Sequence, residues 1–292
     1  MSAAGAVLTL NGLRPLPGSN PLAVPSFFSG WLTSELAPHN LAITVAGTSA
    51  YVARRTRHGG LSRNDRIGVA LNVLSVAGLA WMIRQGMKSA DDVEQALTSG
   101  LHDEYVARLD PAPTKADLAT PWRNVLLPWT FKDDRVHRVA DIDYVGDHAR
   151  RHRLDVYQPR EPGSGRPVLI QVHGGGWVIG NKDQQGIPLM QHLASRGWVC
   201  VAPNYRLSPR ATFPDHLVDL KRALAWTREH AHEYGGDPDF IVVTGGSAGG
   251  HLTALVALTQ NDPEYQPEFE DADTSVYAAV PYYGVYDFTG RN

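Results

Sequence analysis

The chain has 292 residues, 43% of them apolar, with a formal net charge of -3, twelve histidines and a single cysteine. That balance gives no basis for a nucleic-acid partner, and one cysteine excludes an intramolecular disulfide. The length suits one large α/β domain with an appendage.

Residues 1 to 30 are rich in Ala, Pro, Gly and Leu and lack the basic start of a secretory signal peptide. Two apolar stretches follow, Leu41–Ala53 and Ile67–Ile83, joined by a connector that carries Arg54, Arg55, Arg57, Arg63 and Arg66. The second has roughly the 17 residues that a bilayer span requires and shows no polar face. The first reaches that length only by starting near Trp31 and tolerating Glu35 and His39. These features predict a membrane-associated helical hairpin with its arginines on the cytoplasmic side; the competing reading is a soluble helical cap over a binding site, in a cytoplasmic protein.

Ser89-Ala-Asp-Asp92 reads as a fresh helix start, and Val93, Leu97, Leu101, Tyr105 and Leu109 then recur at four-residue spacing, as in an amphipathic packing helix. Pro111, Pro113, Pro121 and Pro128 mark a linker. The division falls between a helical N-terminal region, residues 1–120, and an α/β domain, residues 121–292.

Strand and helix signals alternate from there. Arg138–Tyr144, Arg153–Tyr157, Val168–Val172 and Trp198–Pro203 read as strands, with helices over Gln184–Arg196 and Pro214–Glu233 and a further strand at Val276–Tyr282. Such alternation predicts a mostly parallel sheet with helices on both faces, whose ligands bind beyond the carboxyl ends of the strands.

Two glycine clusters fall at such ends. Ile241-Val-Val-Thr-Gly-Gly-Ser-Ala-Gly-Gly-His251 is a β-branched run that breaks into Gly-x-Ser-x-Gly and continues as a helix, the pattern of a nucleophile elbow. Gly245 and Gly249 suit a reversal that leaves no room for Cβ atoms beside Ser247. Upstream, Val168–Val172 runs into His173-Gly-Gly-Gly-Trp177, whose backbone N–H groups can face the space beyond the strand. Phosphate-binding readings fail on spacing. Asn181 separates Gly180 from Lys182, and Ile179 stands where a dinucleotide motif needs its third glycine. Cys200, in the apolar run Trp198–Ala202, reads as a buried strand residue, the histidines show no metal-ligand spacing, and no cofactor is implied.

His173-Gly-Gly-Gly-Trp177, Asn204-Tyr-Arg-Leu-Ser-Pro209, Phe213-Pro-Asp-His216, Gly245-Gly-Ser-Ala-Gly-Gly250 and Pro281-Tyr-Tyr-Gly-Val-Tyr-Asp287 together resemble the α/β-hydrolase fold, within it the hormone-sensitive-lipase-like carboxylesterases. The resemblance covers roughly residues 135–292. It implies Ser247 as nucleophile, an oxyanion hole from the N–H groups of Gly174, Gly175, Gly176 and Ala248, and a small-molecule or lipid ester substrate. It places His173 at the base of the loop as a shaping residue. The triad order in this fold is Ser, acid, His, yet the only histidine after Ser247 is His251, one turn into the same helix. Asp287 could serve as the acid only if that residue shifts one strand earlier. The expectation is therefore a chain whose sheet is incomplete at its C-terminus and whose triad acid and base lie beyond residue 292, inactive as it stands. The alternative is a ligand-binding member of the fold that performs no chemistry.

Overall fold

In the computed structural model, which describes residues 2–109, 114 and 118–289, the chain forms two units divided between Pro128 and Trp129. The first contains helices α1 (Ser2–Leu13), α2 (Ala23–Glu35), α3 (Ala37–Arg57), α4 (Arg63–Leu101) and the short α5 (Trp122–Leu126). Nothing in the sequence reading placed a helix before Trp31. There α2 accommodates Pro25 because it falls in the first turn, whose N–H groups have no intrahelical acceptor.

A reciprocal cap starts α4: Ser62 Oγ accepts from the Asp65 N–H at 3.2 Å, and Asp65 Oδ2 accepts from the Ser62 N–H at 2.9 Å. The expected helix start at Ser89 is corrected, because α4 runs through it and the Ser89 hydroxyl donates instead to Gly86 O at 2.7 Å. Extending an existing helix adds a bond per residue and needs no new nucleus, so a start signal inside it goes unused. Val93, Leu97 and Leu101 are exposed, contrary to the packing role read from their spacing. The expected linker prolines Pro111 and Pro113 lie outside the described residues.

Among the described residues α4 alone is long and apolar enough to cross a membrane, with a mean hydropathy of 1.7 in its apolar window. The apolar run beginning near Trp31 is not one continuous helix, because the chain leaves helical geometry at Leu36 and Pro38 lies in the first turn of α3.

Leu79 is the one large apolar side chain buried in this unit among the described residues. Small and polar residues are buried: Thr9, Ser26, Gly30, Thr33 and Ser75 among them. Large apolar side chains face outward, with Ile43 70%, Leu74 67%, Phe27 61% and Trp81 54% exposed. Asn11 Nδ2 donates to Ser26 O at 2.7 Å and Ser26 Oγ to Asn11 Oδ1 at 2.5 Å, tying α1 to α2. Asn72 Nδ2 donates to Thr48 Oγ1 at 2.7 Å between α4 and α3.

The second unit is built on a mixed sheet of strands β1 (Val136–Asp143), β2 (Arg153–Pro159), β3 (Arg166–Val172), β4 (Val199–Pro203), β5 (Gly236–Gly246) and β6 (Ala278–Tyr282), in the order β1-β2-β4-β3-β5-β6. The pairs β1/β2 and β2/β4 are antiparallel; β4/β3, β3/β5 and β5/β6 are parallel. Helices α6 (Ile187–Ala194), α7 (Asp215–His230) and α8 (Ala248–Leu258) complete the unit.

Period-two alternation sorts the strand residues to two faces. Val168, Ile170, Val201, Ile241 and Val243 pack with Leu217, Leu224 and Leu252 of α7 and α8. Leu169, Cys200 and Val242 face the opposite way, against Met190 and Ala194 of α6. This is the α/β-hydrolase arrangement, with helices on both faces. Because β3 and β5 are parallel neighbours with Val172 opposite Gly245, the glycine run after β3 and the serine after β5 leave the sheet at the same edge.

Candidate active site

Ser247 has φ 57° and ψ -122°, a left-handed conformation that non-glycine residues avoid. It is exposed, although Gly245 before it and Ala248, Gly249 and Gly250 after it are buried. The surroundings hold the strain in place. The Ser247 N–H donates to Tyr282 O at 3.0 Å, which fastens the turn to β6. A Cβ on Gly245 would stand 2.7 Å from Val172 O, and one on Gly249 would strike the same carbonyl. Both glycines are therefore required by the close approach of β3. At Gly246 a Cβ would meet the Tyr283 ring and hydroxyl.

The loop after β3 closes on that turn from the other side. A Cβ on Gly174 would lie 3.3 Å from Ser247 Cβ and 2.6 Å from Gly246 O. Gly175 (φ 122°) folds the loop back, its carbonyl accepting from the Val178 and Ile179 N–H groups at 3.1 and 3.0 Å. The N–H groups of Gly175 and Gly176 donate to no partner among the described residues. That of Ala248 opens α8 and so has no acceptor within the helix. Gly174 differs from its expected role, since its N–H is taken by Gln185 Oε1 at 2.8 Å and is not directed at a substrate.

His173 is buried against Tyr205, ring centroids 4.3 Å apart and planes nearly parallel, while Tyr205 Oη donates to His173 O at 2.9 Å. The His173 Nδ1–H donates to Gly174 O at 2.9 Å. Burial pushes its pKa down to about 4, so the ring is neutral and shapes the loop. The far end of the loop is pinned by charge. Arg151 Nη1 donates to Gly180 O at 2.9 Å, and the buried Lys182 places Nζ 2.5 Å from Asp155 Oδ1. Gln185, Arg151 and Asp155 were not singled out from the sequence, where Lys182 enters only in the rejected phosphate-binding reading. Only tertiary proximity distinguishes them from ordinary surface polar residues.

A cavity of about 420 Å³ opens beside the loop, lined among others by Gly176, Trp177, Phe213, His216, His251 and Phe288. The His251 ring is held edge-on between Trp177 and Phe288, at 5.3 and 5.4 Å, and burial lowers its pKa and that of His216. Ser247 Oγ hydrogen-bonds to no side chain among the described residues, His251 included. Asp287 is exposed, and its Oδ1 accepts from the Thr289 N–H at 2.7 Å and the Thr289 hydroxyl at 2.5 Å, a loop-capping arrangement. Cys200 is buried in β4, where desolvation raises its thiol pKa.

The profile of the BD-FAE family matches residues 154–292. The probable carboxylic ester hydrolase LipM of Mycobacterium tuberculosis is 43% identical over 297 aligned residues, which cover 99% of this chain and 66% of LipM. Esterase LipQ of the same organism is 56% identical over 154 residues, 52% of this chain and 36% of LipQ. A solved structure of esterase B from Lactobacillus rhamnosis is 28% identical and covers 52% of this chain and 48% of its own, with a TM-score of 0.43. The chain thus spans about two thirds of LipM and about a third of LipQ.

Proposed function

We propose that the chain, a member of the α/β-hydrolase esterase family to which LipM and LipQ are similar, supplies the nucleophile and oxyanion hole of a serine carboxylic-ester hydrolase. One observation carries the reading: a strained, exposed Ser247 stands against a loop whose first glycine approaches to 3.3 Å, measured from its would-be Cβ to Ser247 Cβ. Ser247 Oγ attacks the ester carbonyl, and the developing oxyanion receives N–H groups from Gly175, Gly176 and Ala248. The alcohol departs, leaving an acyl-serine that water hydrolyses to the acid. The neighbouring cavity receives one arm of the ester.

Deprotonating Ser247 requires an imidazole within hydrogen-bond reach, and none of the described histidines meets that requirement. By itself the 292-residue chain therefore hydrolyses esters only weakly. A chimera joining it to the portion of LipM outside the matched region is expected to turn over p-nitrophenyl butyrate, and Ser247→Ala should abolish that turnover. Turnover that survives the substitution would refute the nucleophile assignment. Enzyme-like rates from the chain alone would refute its inactivity. The cavity also supports the second reading, a ligand-binding protein without chemistry; a chimera that binds the ester yet leaves a fluorophosphonate probe unattached at Ser247 would favour it. The helical N-terminal region we read as membrane-associated through α4, on its length and hydropathy.

A further inference from the structure

From the packing of α1–α4 we infer that this bundle embeds in a bilayer whose anionic phospholipid headgroups are held by the arginines of the α3–α4 turn. The inference rests on the membrane reading above and adds the depth of the bundle and the class of lipid.

Three observations carry it. First, apart from Leu79 the buried residues are small or polar while large apolar side chains face outward, an exterior that costs free energy in water and is relieved of that cost by transfer into hydrocarbon. Glycines bring the backbones close: a Cβ on Gly78 would stand 2.7 Å from Thr9 Cγ2, and one on Gly12 2.7 Å from Met82 Cε. The Asn11–Ser26 and Asn72–Thr48 bonds satisfy inside the bundle the polar groups that lipid cannot solvate.

Second, unpaired arginines cluster at the α3–α4 turn, whereas beyond Trp81 the charges of α4 are of both signs, Arg84 and Lys88 followed by Asp91, Asp92 and Glu94. Arg54, Arg57, Arg63 and Arg66 are exposed and make no ion pair among the described residues; Arg55 is neutralised by Asp65 at 2.9 Å. Four free guanidiniums at one turn match the phosphate oxygens of an anionic leaflet.

Third, aromatic side chains mark the other end. Trp81 lies fifteen residues beyond Arg66 in α4, about 22 Å at the helical rise of about 1.5 Å per residue. Thr33 and Met82 both abut Gly12, which brings Phe27, Phe28 and Trp31 of α2 near that level. Arginines and aromatics thus bracket an apolar belt a little shorter than the roughly 30 Å hydrocarbon core, the placement that interfacial anchors take.

The test is density-gradient flotation of the full 292-residue chain, diluted from detergent into vesicles of phosphatidylcholine alone or with phosphatidylglycerol, before and after carbonate washing. Wild type is expected to float with both, to resist carbonate, and to partition about tenfold or more in favour of the anionic vesicles at low salt. R54Q/R57Q/R63Q/R66Q should lose that preference and still float on phosphatidylcholine. Equal partition of wild type between the two lipids, or a preference that survives in the variant, overturns the anionic-headgroup inference and leaves the membrane reading standing. A chain that stays with the aqueous fraction, as a monomer or as an oligomer that covers the apolar face with its own copies, overturns both.

Discussion

Replacing Lys182 by methionine tests whether the glycine loop after β3 is anchored by a buried charge. Lys182 and Asp155 have side chains 5% and 0% exposed. Asp155 Oδ1 accepts from Lys182 Nζ at 2.5 Å and from the Asp141 N–H at 2.9 Å, while Oδ2 accepts from Arg138 Nε and Nη2 at 3.0 and 2.5 Å. Removing one member of a buried pair costs about 3–5 kcal/mol, because the partner is left charged in a medium that solvates it poorly. Here Arg138 still serves the second oxygen, which places the cost near the lower figure, about 3 kcal/mol. Hydrogen exchange at the amides of β2, β3 and β4 reads the stability of this unit separately from the helical one, and a loss of that size speeds the exchange roughly a hundredfold. Lys182→Met combined with Asp155→Asn is expected to cost less than the sum of the two single changes by about 1 kcal/mol or more, since no buried charge is stranded. Exchange in the single variant within about threefold of wild type would refute the anchoring argument.

The remaining predictions concern single residues. The neutral, buried His173 has a pKa of about 4, below that of an unfolded histidine at about 6.5. As pH falls through that window the unfolded chain takes up a proton that the folded chain refuses, so stability declines by up to roughly 3 kcal/mol and levels off below about pH 4; an imidazole NMR titration near the ordinary histidine value would contradict this. Gly174→Ala places a methyl group 2.6 Å from Gly246 O and should displace the loop from Ser247, lowering turnover of the LipM chimera about a hundredfold while leaving its circular dichroism unchanged. Unaltered turnover would mean that the loop does not contribute to the reaction. Cys200, buried and with its thiol pKa raised, should resist Ellman's reagent at about pH 8 until denaturant is added; rapid labelling of the folded chain would contradict its burial.

Strand order along the chain, the elbow and the glycine loop were all legible as patterns, because each depends on local constraints. A β-branched run needs period-two burial, and a reversal beside a neighbouring strand needs glycine. Helix boundaries in the first unit were less legible. Ser89 carries a sound start signal, yet α4 was already nucleated at Ser62 and passes through it. The four-residue periodicity that follows misled for a related reason: apolar spacing at Val93, Leu97 and Leu101 states that one face is apolar, and not that anything packs against it.

The sequence by itself determined the identity of the groups, namely a serine between glycines, a run of three glycines after a strand, and arginines between two apolar segments. The tertiary structure alone decided which of them meet. Gly174 turned from oxyanion donor to structural link because Gln185, eleven residues on, reaches its N–H. Lys182 became buried because β2 brings Asp155 beneath it. That large apolar side chains of the helical unit face outward could be recognised only once burial was known for each of them. The physical reason is common to all three: hydrogen bonding, desolvation and burial depend on distances between residues far apart in the chain, and those distances are set by packing.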